Sequence, residues 1–245
     1  MGITLRAGPI AEVVMDVPPV NALAVRHWHD LAGALHDAGR DPVTRVVVLR
    51  AEGRGFNAGV DIKEMQAADG HQALVGANRG CHAAFAAVYD CPVPVVAAVH
   101  GFCLGGGIGL VGNADVVVAS DDAYFGLPEV DRGALGAATH LARLVPAHLM
   151  RAMVYTCRNV TAAELLAFGS VLDVVPRQAL TDAAMEVAGR IADKDPYVIR
   201  LAKESLNGID PVDVKRSYRF EQGFTFELNL LGKGDEHRHR FVAGS

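Results

Sequence analysis

VHGFCLGGGIGLVGN, residues 99–113, is the stretch whose reading decides how this chain folds. It contains a formal G-x-G-x-x-G at Gly107, Gly109 and Gly112. A dinucleotide-binding turn needs its first glycine directly after a strand and a full helix after its third. Here the apolar strand run 93–99 (VPVVAAV) ends eight residues before Gly107, and only Asn113 and Ala114 follow Gly112 before the next apolar run, 115–119 (DVVVA). No crossover helix fits in that space, so the spacing argues against a dinucleotide. The geometry that fits is strand, turn, and a short helix opening at the glycines and running to about Asn113. The first N–H groups of such a helix lack intrahelical partners and carry the positive end of its dipole. Glycine lets a ligand approach them, and it also permits close helix packing.

Outward from this stretch, the pattern alternates between strand and helix. Ile3–Leu5 and Val13–Met15 read as paired strands across the Gly8-Pro9 turn, and RVVVLR at 45–50 as a buried strand. Val25, Trp28, Leu31 and Leu35 have helical spacing within 24–38, and 72–89 is an Ala-rich helix. After Arg143 helices dominate. Thr161-Ala-Ala-Glu164 is a capping box, Val171–Val175 a short strand run, and 180–192, 196–206 and 212–231 are helical, the last with Pro211 at its first position. The expectation is an α/β core followed by a helical C-terminal region, changing over near 180–195.

Composition narrows the function classes. The 245 residues are 51% apolar with a net charge of −5 and no basic tail, which disfavours nucleic acid and acidic membrane surfaces as partners. Residues 93–112 are long enough to span a membrane, but their glycines, His100 and the flanking Pro92 and Pro94 point to strand, loop and short helix. MGITLRAGPIAEV lacks the apolar core of a signal peptide, and Cys81, Cys91, Cys103 and Cys157 fit buried thiols in a reducing cytoplasm. GDEHRHRF at 234–241 reads as charged surface, because His237 and His239 at i and i+2 do not share a helix face, so no metal site is expected.

FNAGVDIKEM, residues 56–65, is a second glycine loop running into a helix. Two backbone donors from separate loops that converge on one point make an oxyanion hole. With PPVNAL (18–23) and YFGLPEV (124–130), the two loops resemble, in order and spacing, the crotonase (enoyl-CoA hydratase/isomerase) superfamily. The resemblance covers nearly the whole chain. It implies a ClpP/crotonase-like ββα spiral core over 1–190, a helical trimerisation region over 191–245, and a homotrimer or dimer of trimers. It also implies acyl-CoA thioester substrates, with no cofactor beyond the coenzyme A that the substrate carries. The implied oxyanion donors are the N–H groups of Val60 and Gly106, and the implied carboxylate is Glu129. Ala22, Ala58, Asp61, Ile62, Lys63 and Gly105 are the implied CoA-site residues, with a solvated surface lysine as the other reading of Lys63.

The chain departs from the hydratases at one position. Their first glutamate falls three residues after the oxyanion glycine, and here that residue is Gly109. Half of the acid–base pair is missing, which argues against simple hydration and suggests room for a bulkier acyl group. Asp131 would share a face with Glu129 if that segment were extended, with a salt bridge or cap as the other reading. His140 could face the cavity, or pack as a hydrogen-bonded helix histidine. The wording of NRGCHAAF (78–85), GLPEVDRGALGAATHLARLVP (126–146) and EQGFTFELNL (221–230) is most similar to the actinobacterial branch of steroid-ring-opening CoA-ester hydrolases. That branch implies hydrolytic C–C cleavage of a bicyclic methyl-dioxo-hexahydroindene carboxyl-CoA. An enoyl-CoA isomerase or hydratase, and a non-catalytic acyl-CoA binder, are the competing expectations.

Overall fold

The computed structural model describes residues 1–67 and 71–243. The last two residues of the expected C-terminal region, 244–245, lie outside them. The strands are β1 (Gly2–Arg6), β2 (Ile10–Asp16), β3 (Val46–Ala51), β4 (Val95–Val99), β5 (Phe102–Leu104), β6 (Val116–Ser120), β7 (Tyr124–Gly126), β8 (Val160–Thr161) and β9 (Asp173–Val175). The helices are α1 (Val25–Arg40), α2 (Ile62–Ala67), α3 (Gln72–Tyr89), α4 (Gly106–Val111), α5 (Ala138–Leu141), α6 (Ala147–Thr156), α7 (Ala162–Ala167), α8 (Leu180–Ala192), α9 (Pro196–Gly208), α10 (Val214–Leu230) and α11 (Lys233–Ala243).

The larger sheet has the order β1-β2-β3-β4-β6-β9, antiparallel only between β1 and β2. Its inner strands are covered on both faces, which is why VVVLRA and VVAAV are continuous apolar runs. Alternation divides β3: Val47 and Leu49 join the main core with α1 and α3, while Val46 and Val48 meet Leu180, Ala184 and Ala188 of α8. A second sheet, β5-β7-β8, takes up the chain directly after β4 and β6. The sequence 93–112 is therefore strand, second strand and short helix. No described helix is long and apolar enough to cross a membrane.

The repeated unit of large-sheet strand, small-sheet strand and helix sets the site. In β4–β5–α4 the chain leaves one sheet, adds three residues to the other, and turns into α4 at the glycines. After β3 the chain follows the same course: Asn57 makes an isolated bridge to Cys103 of β5, and α2 follows. The two glycine loops are thus brought side by side by pairing between adjacent turns of the spiral.

The C-terminal helices fold back over the same core. Lys203 of α9 is 4% exposed, and its Nζ contacts both carboxylate oxygens of Asp115 at 2.8 and 2.7 Å. Tyr218, Gln222, Thr225 and Asn229 form the buried stripe of α10. Glu221 accepts from the Ala138 and Thr139 N–H groups at the start of α5. The start of α10 differs from the expectation: Asp213, accepting the Arg216 N–H at 2.9 Å, caps the helix, and Pro211 lies before it.

Candidate active site

The first loop owes its shape to Asn57, which is fully buried. Its Nδ2 donates to Asn21 O at 2.8 Å, and its Oδ1 accepts the Gly59 N–H at 2.8 Å. The Phe56, Asn57 and Ala58 N–H groups donate to His100 O, Phe102 O and Asn21 O, and that of Asp61 to Leu23 O. The Val60 N–H, in the middle of this run, has no hydrogen-bond partner among the described residues. In the second loop, Leu104 and Gly105 donate to Asn57 O and Gly126 O, and Ile108 to Gly105 O. The N–H of Gly106, the first residue of α4, is likewise unpartnered among the described residues. The loops touch: a methyl group on Gly59 would lie 3.3 Å from the Gly106 nitrogen. Val60 and Gly106 thus present two bare amides on adjacent loops, an arrangement suited to a developing oxyanion.

Glu129 faces them. Gly105 has φ +56°, and any Cβ there would stand 2.6 Å from Glu129 Oε1, so the carboxyl group reaches the oxyanion loop only because residue 105 is glycine. Glu129 Oε2 is buried with no hydrogen-bond partner among the described residues. Burial is the largest influence on the group and pushes its pKa up to about 8, against the lowering effect of Arg132. Such a carboxyl can hold or release a proton near neutral pH.

These groups open onto one cleft, about 830 Å³ of empty space including its mouth. It brings together Ala58, Val60, Ile62, Gly105, Gly106 and Glu129 of the expected residues. The others lie elsewhere. Asp131 is exposed, in a 3₁₀ turn over Val130–Arg132 that starts at Glu129 with helical backbone angles. The segment is not extended, so residues 129 and 131 do not share a face. His140 is 1% exposed and sits behind the cleft wall, with Nδ1 3.1 Å from Asn113 Oδ1 and its ring packed on Phe85 and Tyr218. Burial lowers its pKa to about 3, so it is a neutral packing residue. Asp61 caps α2, its Oδ1 accepting the Lys63 N–H at 3.0 Å. Lys63 is exposed and Ala22 half-buried, both outside the cleft wall.

Gly109 overturns a second expectation. A side chain there would collide with the Phe85 ring. Phe85 lies edge-on to Trp28, with centroids 5.7 Å apart, and lines the cleft. The volume released at 109 is filled by this phenyl ring and is not left for an acyl chain.

Sequence reasoning missed one wall. Tyr218, Thr225 and Asn229 of α10 and Arg238 of α11 close the cleft opposite the oxyanion loops, joined by Arg132. The i, i+7, i+11 spacing of the three α10 residues was a legible signal, hidden by the more apolar Phe224 and Leu230, which are 44% and 74% exposed. GDEHRHRF is not uniformly solvated, because its Arg238 is 8% exposed. Among the described residues, no group of three or more His, Cys, Asp or Glu is placed to hold a metal.

Comparison with known proteins bears on this geometry. The family profile described as enoyl-CoA hydratase/isomerase matches residues 6–236. A Rhodococcus jostii protein named (7aS)-7a-methyl-1,5-dioxo-2,3,5,6,7,7a-hexahydro-1H-indene-carboxyl-CoA hydrolase is 72% identical over 95% of this chain and 90% of its own length. A Mycobacterium tuberculosis protein of the same name is 65% identical over 96% of both. The crystal structure of an enoyl-CoA hydratase/isomerase from Xanthobacter autotrophicus superimposes with a TM-score of 0.89 at 25% identity, over 98% of this chain and 91% of that one.

Proposed function

This chain belongs to the enoyl-CoA hydratase/isomerase family and has its crotonase fold, and from that premise we propose that it opens a ring of a bicyclic dioxo-indene carboxyl-CoA by hydrolysis. The observation that carries the reading is the asymmetry of the cleft: two bare amides, one carboxyl group with an unpartnered oxygen, and a phenyl ring where a hydratase would have its first glutamate. The two relatives named as hydrolases of such an ester support the choice of substrate.

Glu129, ionised, takes a proton from water as the oxygen adds to a ring ketone. The tetrahedral adduct collapses, and the bond from the former ketone carbon to its ring neighbour breaks. The electron pair moves to the carbon conjugated with the thioester, and the enolate oxygen rests on the Val60 and Gly106 N–H groups. Glu129 returns the proton to that carbon. One water is consumed, a carboxylic acid appears, and no oxidant or reductant is needed. Each amide contributes about 3 kcal/mol in the transition state. A single proton-handling group suffices, because the proton it removes is the one it returns.

Ala58, Ile62 and Gly105 would hold the acyl end of the CoA ester, while Ala22, Asp61 and Lys63 remain candidates for its nucleotide part. Family members bind acyl-CoA and are typically oligomeric. We assign 191–245 to assembly as a trimer or dimer of trimers, supported by the exposed apolar side chains of α9, Tyr197, Val198, Leu201 and Leu206. Four free thiols favour a cytoplasmic setting. The test is incubation of purified protein with the bicyclic CoA ester and with crotonoyl-CoA. A product heavier by one water and carrying a new carboxylic acid is expected from the first, with little hydration of the second. Absence of the ring-opened acid with rapid crotonoyl-CoA hydration would overturn the reading.

A further inference from the structure

Ring opening by water generates two oxyanions, and the two bare amides serve only one of them. The second forms on the ketone carbon and persists in the product as a carboxylate. It arises where Glu129 directs water, so it needs its own donors on the Glu129 side of the cleft. Arg132 and Arg238 line that cleft. Arg132 is three residues beyond Glu129, close enough to favour the ionised form of its carboxyl. Its guanidinium stacks on the Phe241 ring at 4.3 Å, and no carboxylate among the described residues lies within ion-pair distance of it. Arg238 is nine-tenths buried. Its Nη1 donates to Asn229 Oδ1 at 2.7 Å and its Nη2 to the exposed Asp235 at 2.6 Å, while its Nε has no partner among the described residues. A guanidinium N–H buried without a partner at the wall of a cleft is costly, and a bound anion that draws the side chain inward would relieve it.

We infer that Arg132 and Arg238 form an anion receptor for the distal oxygen of the acyl group: the ketone oxygen as water adds, then the carboxylate of the ring-opened product. This rests on the ring-opening reading for its role in turnover, but its binding prediction does not. A receptor of this kind makes the cleft prefer CoA esters that carry a second carboxylate at the far end of the acyl chain. Lysine would supply charge without the planar fork that pairs with two oxygens.

The experiment is calorimetric titration of the full-length protein with glutaryl-, adipoyl- and pimeloyl-CoA, each against the neutral acyl-CoA of equal chain length. The best dicarboxylyl ester should bind roughly tenfold tighter than its neutral partner, as expected for a charged hydrogen-bonded contact. Arg238→Gln and Arg132→Gln should each erase most of that preference without weakening neutral esters, and Arg238→Lys should retain part of it. With the bicyclic ester, Arg132→Gln should lower kcat more than it changes KM, because the ketone oxygen of the bound substrate is neutral and gains charge only as water adds. Equal binding of charged and neutral esters by the wild-type protein would overturn the inference, whatever the variants do. If the preference holds and the bicyclic ester is not opened, the receptor stands and the substrate assignment falls. If the ester is opened and no preference exists, the reverse is true.

Discussion

Glu129, the base of the proposed reaction, is destabilising in its ionised form. Its Oε2 is buried without a hydrogen-bond partner among the described residues, and burial displaces its pKa from the carboxylate range to about 8. Between pH 4.5 and 8 the unfolded chain releases this proton while the folded chain keeps it. The folded state then binds more protons, so this group's contribution to stability falls as pH rises through that window and levels off above it. Glu129→Gln removes the penalty and also the base. We expect the variant to melt at least about 2 °C higher at pH 8, with the gap closing near pH 4. We expect its turnover to fall by about 10²–10⁴. In the wild type, kcat/KM should rise with pH to a plateau above about 8, read from initial rates across the pH range. A pH-independent difference in melting temperature would remove burial of charge as the explanation.

At the scale of elements, the departure from a hydratase is built into the packing of α3 against α4. Gly109 and Phe85 are one feature, the ring lying where a side chain at 109 would go. Gly109→Glu alone should therefore give no hydratase. It should overpack the cleft, costing about 1–3 kcal/mol in thermal denaturation, with crotonoyl-CoA hydration still negligible. Pairing it with Phe85→Ala should recover part of the stability. Recovery of hydration by Gly109→Glu alone would show that the ring yields. The sequence makes the strands, both glycine loops and the helix 72–89 legible because each is a local signal: an apolar run, a glycine-punctuated turn, a 3.6-residue stripe. The bare amides of Val60 and Gly106 were legible only through resemblance, since which N–H stays free depends on Asn57, Asn21 and Leu23 taking the others. Phe85 and Arg238 were not legible at all. Their roles depend on a glycine on another helix and on α11 returning to the turn after Glu129, contacts that no window of sequence contains.

For the whole molecule, the apolar outer face of α9 is the feature in want of a partner. Tyr197, Val198 and Leu206 are 71%, 60% and 60% exposed, more apolar surface than one short helix commonly shows to water. Leu201→Glu with Leu206→Glu should shift sedimentation toward monomer, with the circular dichroism unchanged. An unchanged sedimentation coefficient would place the assembly surface elsewhere. The same helix is fastened inward by Lys203 on Asp115, by Arg200 on the Gly39 and Thr44 carbonyls, and by Asn207, whose side chain donates to Tyr89 O. A protease that nicked the chain at 193–195 would consequently release nothing. The two fragments would elute together from a sizing column under native conditions and part only in denaturant, so damage at that joint would pass unnoticed until the protein was boiled.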